Sequence, residues 1–387
     1  MTMRSVYLDN NATTQVDPAV AESIAKYFSE SFGNASSVHS FGQKARAGLE
    51  EARRQVALLL EASPPEIIFT SGGTEADNLA IKGIALAHQN RGKHLITSTI
   101  EHPAVLRMCE RLEQEGFEVT YLEVNAGGIV DPAQLEAAIR QDTILISVMF
   151  ANNETGVIQP LEEVASIARD HDILFHSDGV QGAGKACLGV DRFPVDLLSI
   201  SAHKFHGPKG VGALYVRRGT ALEPLMLGGS HERKQRAGTE NVPGIVGLGK
   251  ACELAAAQHE AFTRRVAGLR DRLEKGIQEN IDGVKINGIG QSRLPHVTNM
   301  SFEGVEGEAL LVALDFQGIA VSTGAACASG SISPSHVLTA MGLPDNLIRG
   351  SIRFSLSRLS TDEEVDYVLD VLPGIVRRMR EMTVSST

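Results

Sequence analysis

The stretch Leu197-Leu-Ser-Ile-Ser-Ala-His-Lys-Phe-His-Gly-Pro-Lys-Gly210 decides how the rest of the chain is read. Its apolar start, Leu197 to Ile200, reads as the end of a buried strand. Ser201, His203 and Lys204 follow in a loop that Gly207-Pro208 turns sharply. A lysine just past a buried strand is partly desolvated, which favours the neutral amine and makes it a nucleophile toward carbonyls. Most loop lysines are simply exposed, so the reading of Lys204 rests on what its neighbours supply.

Working outward, the pattern from Ile67 onward repeats strand, turn, helix. Candidate strands fall at 67–70, 94–98, 118–122, 143–149, 173–176, 197–200 and 213–216, with helical patterns between several of them. Crossover units of this kind build a mostly parallel sheet between helices, so the expected fold class is α/β with a seven-stranded sheet. Ligands of such sheets bind at the carboxyl ends of the strands. The polar motifs sit there.

Ser71-Gly-Gly-Thr-Glu-Ala-Asp-Asn78 joins a strand to a helix. Gly73 permits close backbone approach, free amides at the helix start attract an anion, and Thr74 adds a hydroxyl. The same residues also suit an ordinary capped turn. Gly179-Val-Gln-Gly-Ala-Gly-Lys185 has the outline of a nucleotide P-loop, but Ala186 replaces the magnesium-binding hydroxyl, which excludes that use. His102 follows the strand at 94–98, where an imidazole could stack on an aromatic cofactor and carry protons. Asn153, in Ala151-Asn-Asn-Glu-Thr-Gly156, offers a hydrogen-bond donor or a plain Asx turn.

Asp178 ends another strand, 26 residues before Lys204, and Gln181 stands three residues on. A carboxylate on a pyridine nitrogen keeps the ring protonated and a better electron sink, which is what pyridoxal phosphate (PLP) chemistry needs. A helix cap is the alternative role for Asp178. With these residues assembled, Lys204 reads as the anchor of PLP, held as a Schiff base. Arg236-Ala-Gly-Thr-Glu-Asn-Val242 is a glycine-hinged loop that either supplies phosphate donors or merely leads into a long helix starting near Pro243.

That helix, rich in alanine and leucine to about Leu273, reads as a bridge to a second α/β unit. The elements expected there are strands at 297–302, 319–321 and 351–355, with helices over 306–316 and from Thr361. Between them, Ser322-Thr-Gly-Ala-Ala-Cys-Ala-Ser-Gly-Ser-Ile-Ser-Pro334 lacks any periodic pattern and carries one thiol, Cys327. Cys109, Cys187 and Cys252 lie among apolar residues and read as small buried hydrophobes. Arg353 alternates with Ile352 and Phe354, so it points away from the core, either to grip a carboxylate or to face solvent.

The bulk properties agree with an enzyme of this kind. The 387 residues exceed one ordinary domain; 43% hydrophobic and 21% charged content with 38 glycines suits a turn-rich α/β protein. A net charge of −11 opposes nucleic acid and anionic membrane as partners. Four cysteines without C-x-x-C spacing argue against a disulfide framework or structural zinc. With no signal-like start and no long apolar run, the expected location is cytoplasmic.

Together the motifs closely resemble the NifS/IscS-type cysteine desulfurases, class V members of the type I PLP (aspartate aminotransferase) fold. The most specific matches are Ser71–Asn78, Ser201–Gly210, Arg236–Asn241 and the Cys327 segment, in a likeness running nearly end to end. The resemblance implies a large PLP-binding domain at 16–259 and a small domain made of 1–15 and 260–387. The small domain carries the cysteine loop, 322–334. It implies Lys204 as the PLP lysine, Cys327 as the sulfur-accepting nucleophile and His102 as ring-stacking proton carrier. Asp178 would meet the ring nitrogen and Gln181 the phenolic oxygen; Gly73, Thr74, Ser201 and His203 would hold the phosphate, with Thr239 from a second subunit. Asn153 and Arg353 would hold the substrate carboxylate. The implied activity converts L-cysteine to L-alanine and passes sulfur, as a persulfide, to an iron–sulfur scaffold protein or another acceptor. No resident metal is implied, although Cys327 could transiently ligate a cluster together with a scaffold. A selenocysteine lyase or another class V enzyme shares the sheet-end residues but needs no cysteine loop. A non-catalytic PLP-bound scaffold is disfavoured by the presence of both Lys204 and Cys327. Ala35 stands where the family often has Pro, and Gly179 and Gly182 where it often has Ala; looser backbone near Asp178 and Gln181 is the expectation.

Overall fold

The computed structural model describes residues 5–323 and 334–384. Strand β1 (Val6–Tyr7) is followed by helices α1 (Pro18–Ser29) and α2 (Ser40–Leu59). Asp17 caps α1, accepting from Ala19 N at 2.7 Å, with Pro18 at the first helical position where its missing N–H costs nothing. The alternation then begins: β2 (Ile67–Thr70), α3 (Gly73–His88), β3 (His94–Ser98), α4 (Pro103–Gln114), β4 (Glu118–Leu122), α5 (Pro132–Ala138), β5 (Thr143–Ser147), α6 (Leu161–Asp170), β6 (Leu174–Asp178), β7 (Leu197–Ser201) and β8 (Gly212–Val216).

These seven strands form one sheet in the order β2-β8-β7-β6-β5-β3-β4. Strand β8 runs antiparallel to both β2 and β7; the remaining pairs are parallel. Helices cover both faces, so the strands are continuous apolar runs whose successive residues serve different cores. Leu197 packs with Leu79, Val105 and Leu112 on one face, while Leu198 and Ile200 pack with Val56, Leu248 and Cys252 on the other.

Helix α7 (Val242–Asn280) connects the two halves. Its first turns, through Ile245, Leu248 and Cys252, belong to the sheet core; Val266, Leu269, Leu273 and Ile277 belong to a second core. That second core is closed by β9 (Val284–Ile286), β10 (Val297–Phe302), α8 (Gly307–Asp315), β11 (Ile319–Ala320), β12 (Ser351–Ser355) and α11 (Asp362–Val384). Two short helices, α9 (His336–Ala340) and α10 (Asp345–Arg349), lie between β11 and β12. Strand β1 joins this half by pairing in parallel with β11, which brings Leu8 into its core. Residues just after β1 therefore cross from one half to the other, and Thr14 N bonds His203 O at 2.9 Å. No helix among the described residues is long and apolar enough to cross a membrane.

Most sequence-expected elements are present, with small shifts. Strand β5 stops at Ser147, although Val148 N and Phe150 N go on bonding β6 carbonyls, those of His176 at 3.2 Å and Asp178 at 2.9 Å. Strands as short as β9, with Lys285 at its centre, leave no apolar signature to read.

Candidate active site

The carboxyl ends of the sheet and the post-β1 crossing enclose a cavity of about 260 Å³. Its lining includes Gly73, Thr74, His102, Asn153, Asp178, Gln181, Ser201, His203, Lys204 and Arg353. Ten sequence-nominated residues are thus brought together from six segments. Thr239 is exposed and does not line this cavity. Cys327 lies outside the described residues.

Lys204 stands in a tight turn directly after β7, and Asp178 ends the adjacent parallel strand β6, in register with Ser199. Lys204 Nζ donates to the backbone carbonyls of Asn11 at 2.6 Å and Ala12 at 3.0 Å. The importance of Asn11 and Ala12 was not legible in the sequence; the one signal was a run of polar residues, Asp9-Asn-Asn11, right after a strand. His203 Nδ1 lies 3.2 Å from Thr13 Oγ1, and burial, reinforced by Lys204, lowers its imidazole to about 4.

Asp178 belongs to a set of buried acids. Its Oδ1 accepts from Val180 N at 2.9 Å, so it caps the following turn and still lines the cavity. Burial raises its pKa, against the opposing pull of His102 and Lys204. Asp77, from α3, and His102 each bring a ligating atom within 4.8 Å of it. Asp77 is fully buried, its Oδ1 has no hydrogen-bond partner among the described residues, and burial holds its carboxyl well above the usual range. Glu101 accepts from Ser98 Oγ at 2.6 Å and Met149 N at 3.0 Å, yet burial still pushes it up to about 8. His176, between Ser147 Oγ and Ser199 Oγ, is held neutral by burial, with its pKa at about 3.

His102 caps α4: its Nδ1 accepts from Ala104 N at 3.1 Å. Burial, opposed by Asp178 and aided by Lys204, lowers its pKa, so the neutral ring carries its hydrogen on Nε2. The nitrogen that would take a proton is engaged in the cap, and this favours a stacking role over a basic one. Asn152, not Asn153, makes the Asx turn, its Oδ1 accepting from Glu154 N at 2.9 Å and Thr155 N at 3.0 Å. Asn153 is left to line the cavity.

Four sequence readings are corrected or narrowed here. Arg353 does point away from the small core, but it is only 2% exposed, because the opposite face of β12 is covered by the site. Its Nη2 donates to Asp9 Oδ1 at 2.7 Å and its Nη1 to Asn153 O at 3.1 Å, so a carboxylate ligand must share it with Asp9. Cys187 is exposed, not buried, with Sγ 3.4 Å from His259 Nε2. Gly179 and Gly182 sit in close surroundings: added Cβ atoms there would lie 2.8 Å from Leu198 Cδ1 and 2.6 Å from Phe150 Cδ1, so a larger residue requires those side chains to shift. Arg236, one candidate phosphate donor, instead pairs with Glu75 through Nε at 2.7 Å and Nη2 at 3.1 Å.

The family model for class-V aminotransferases matches residues 6–368. The chain belongs to the class-V aminotransferase family. It is 53% identical over 380 residues to a cysteine desulfurase IscS from Methanosarcina thermophila, covering 98% of this chain and 94% of that one. Among solved structures, a NifS-like protein superposes with a TM-score of 0.91 at 40% identity, covering 97% of this chain and all (100%) of the other. A structure titled SspA in complex with cysteine reaches a TM-score of 0.82 at 40% identity, over 92% of this chain and 100% of its own.

Class-V aminotransferases use PLP, and the donor set of this cavity fits it. The N-terminus of the 16-residue α3, together with Thr74, Ser201 and His203, offers N–H and O–H groups for a phosphate. Gly72, which precedes α3, has φ 155° and ψ −175°, a conformation essentially restricted to glycine. Asp178 suits a protonated ring nitrogen, and Lys204 suits an aldehyde.

Proposed function

We propose that this chain is a PLP-dependent cysteine desulfurase, converting L-cysteine to L-alanine while Cys327 receives the sulfur as a persulfide. The observation that carries the reading is the meeting of Lys204 and Asp178 from adjacent strand ends in one cavity, with Arg353 arriving from the other half. Residues flanking the Cys327 segment support it. Ser322 O accepts from Arg353 N at 2.7 Å, Ser335 Oγ donates to Glu154 at 2.6 Å, and His336 Nε2 lies 3.0 Å from Glu101 O. The chain leaves and re-enters beside the cavity.

In this reading Gly73, Thr74, Ser201 and His203 hold the phosphate, Asp178 the ring nitrogen, Gln181 the phenolic oxygen and His102 the ring face. Thr239 contributes from a second copy. Bound PLP supplies the electron sink for charge left at the substrate's α-carbon. Asn153 and Arg353 orient the substrate carboxylate, and Lys204 Nζ takes and returns the α-proton. The Cys327 thiolate attacks the substrate sulfur; the carbon keeps the bonding pair and gains a proton, alanine leaves, and the persulfide stays on Cys327. The same reading divides the chain into a large domain at 16–259 and a small one at 1–15 and 260–387, in keeping with the separate cores joined by α7. It also makes the enzyme a cytoplasmic homodimer that hands sulfur to an iron–sulfur scaffold or another acceptor; its support there is the resemblance and the exposed position of Thr239.

The test measures alanine and the visible spectrum together. The PLP-loaded protein absorbs in the visible, and Lys204→Ala loses that band. Cys327→Ala keeps the band and its response to cysteine, while alanine production falls by roughly 10⁴–10⁶-fold, the scale of losing a catalytic nucleophile. Near-normal alanine from Cys327→Ala, or loss of the band in Lys209→Ala but not Lys204→Ala, overturns the assignment.

A further inference from the structure

The Gly179–Lys185 segment, excluded as a nucleotide loop, ends in a lysine for which the desulfurase reading has no use. Lys185 is 5% exposed. Among the described residues its Nζ donates to the side-chain Oε1 of Gln181, one turn earlier, at 2.9 Å. The other end of the same amide, Gln181 Nε2, donates to Asn11 O at 3.2 Å. Asn11 O also receives Lys204 Nζ.

An amide side chain can ordinarily be turned either way, because its oxygen and nitrogen look alike. Here both neighbours decide. A backbone carbonyl only accepts, so Nε2 must face Asn11; Lys185 then meets Oε1 and donates to it. One Nε2 hydrogen goes to Asn11, and the second remains for a ligand oxygen in the cavity that Gln181 lines.

The surroundings show why an amine fills this place. Lys185 and Lys204 both line an adjoining cavity with His206, His296 and Arg358. Burial, with Lys204 and Arg353 adding to it, lowers the Lys185 pKa well below the usual lysine range. Lys185 in turn helps hold His203, His206 and His296 neutral, and the acid facing His206 is Asp17. Among the described residues this buried amine has no carboxylate as a hydrogen-bond partner, which is unfavourable for folding alone, and its side-chain hydrogen bond goes to the Gln181 oxygen.

We propose that Lys185 is a positioning residue for the cofactor: by donating to Gln181 Oε1 it locks the amide so that Gln181 presents an N–H to the ring oxygen of bound PLP. The inference rests on the PLP reading above and adds to it a residue that never touches the cofactor. An N–H donor at that oxygen stabilises its anionic form once the neighbouring imine has lost its proton. Weakening the donor therefore makes the chromophore hold its proton to higher pH.

The experiment titrates the visible absorption of the PLP-loaded full chain with pH for wild type, Lys185→Met, Gln181→Met and the double variant. Lys185→Met is expected to raise the midpoint by roughly one pH unit, the size of one hydrogen bond to a charged group. Gln181→Met raises it at least as far, and in the Gln181→Met background the Lys185 change adds nothing further. A wild-type midpoint in Lys185→Met, or an equal shift in both backgrounds, overturns the proposal. A general packing role would lower the melting temperature without moving the midpoint. Lys185→Ala, which leaves room for water, replaces Lys185→Met if that variant does not fold and is read in the same way. Absence of a Lys204-dependent band in the wild type defeats the PLP reading itself, an outcome distinct from a titrating wild type whose Lys185 variants do not shift.

Discussion

Two groups of ionisable residues gather here: acids, with Asp77 and Asp178 lining the cavity and Glu101 buried, and bases, with His203 and Lys204 lining it and Lys185 and His206 lining the adjoining cavity that Lys204 shares. Burial acts on both groups and drives them in opposite directions. It raises the carboxyls, Glu101 to about 8, and lowers the bases, His203 and His206 to about 4. Each side therefore moves toward neutrality without needing a direct ion pair across the gap. The comparison shows how a site can gather so many ionisable groups and still be compatible with folding.

Within this comparison the largest expected effect comes from breaking the acid group at Asp178, which lines the cavity. Asp178→Asn leaves a ring nitrogen without a carboxylate, and removing one partner of a buried charge pair costs about 3–5 kcal/mol. The expected result is a fall in alanine formation of roughly 10²–10³-fold with PLP still bound, checked by kcat/KM beside the visible spectrum.

Glu101→Gln sharpens the comparison through stability. An unfolded glutamate ionises near about 4.3, whereas burial holds folded Glu101 at about 8. The folded chain thus keeps a proton that the unfolded chain loses. This contribution is full below about pH 4 and is lost as pH rises toward 8. Urea unfolding of the PLP-free protein at pH 5 and pH 8 should show wild type losing about 2–4 kcal/mol more than Glu101→Gln over that interval.

The basic side predicts the opposite slope. His206, whose Nδ1 lies 2.9 Å from Gln15 O, is lowered by burial to about 4. An unfolded histidine takes up a proton near about 6.5, so this stability is present above that pH and is lost as pH falls toward 4. His206→Gln, which keeps a donor for Gln15, should flatten the acid limb by about 1–2 kcal/mol, less than the full shift because water reaches the cavity. Identical acid limbs in the two proteins would remove His206 from the comparison.

What the sequence determined by itself was the local chemistry. The apolar runs set the strands, the Asp17-Pro18 pair started α1, and glycines marked the turn before α3, because these signals depend on near neighbours. It also placed Asp178 and Lys204 at strand ends, since a strand's last residue is visible as the end of its apolar run. Tertiary structure alone decided which residues meet. The post-β1 crossing that brings Asn11 to Lys204 joins positions 193 residues apart. The covering of Arg353 depends on packing between the two halves, so periodicity within one strand could indicate its face but not what lies over it. Cys187 sits among apolar sequence neighbours and is nonetheless exposed, and Lys185 is a charged residue that the fold buries. Burial is a sum over contacts from the whole chain, and a window of sequence contains only the part contributed by its own residues.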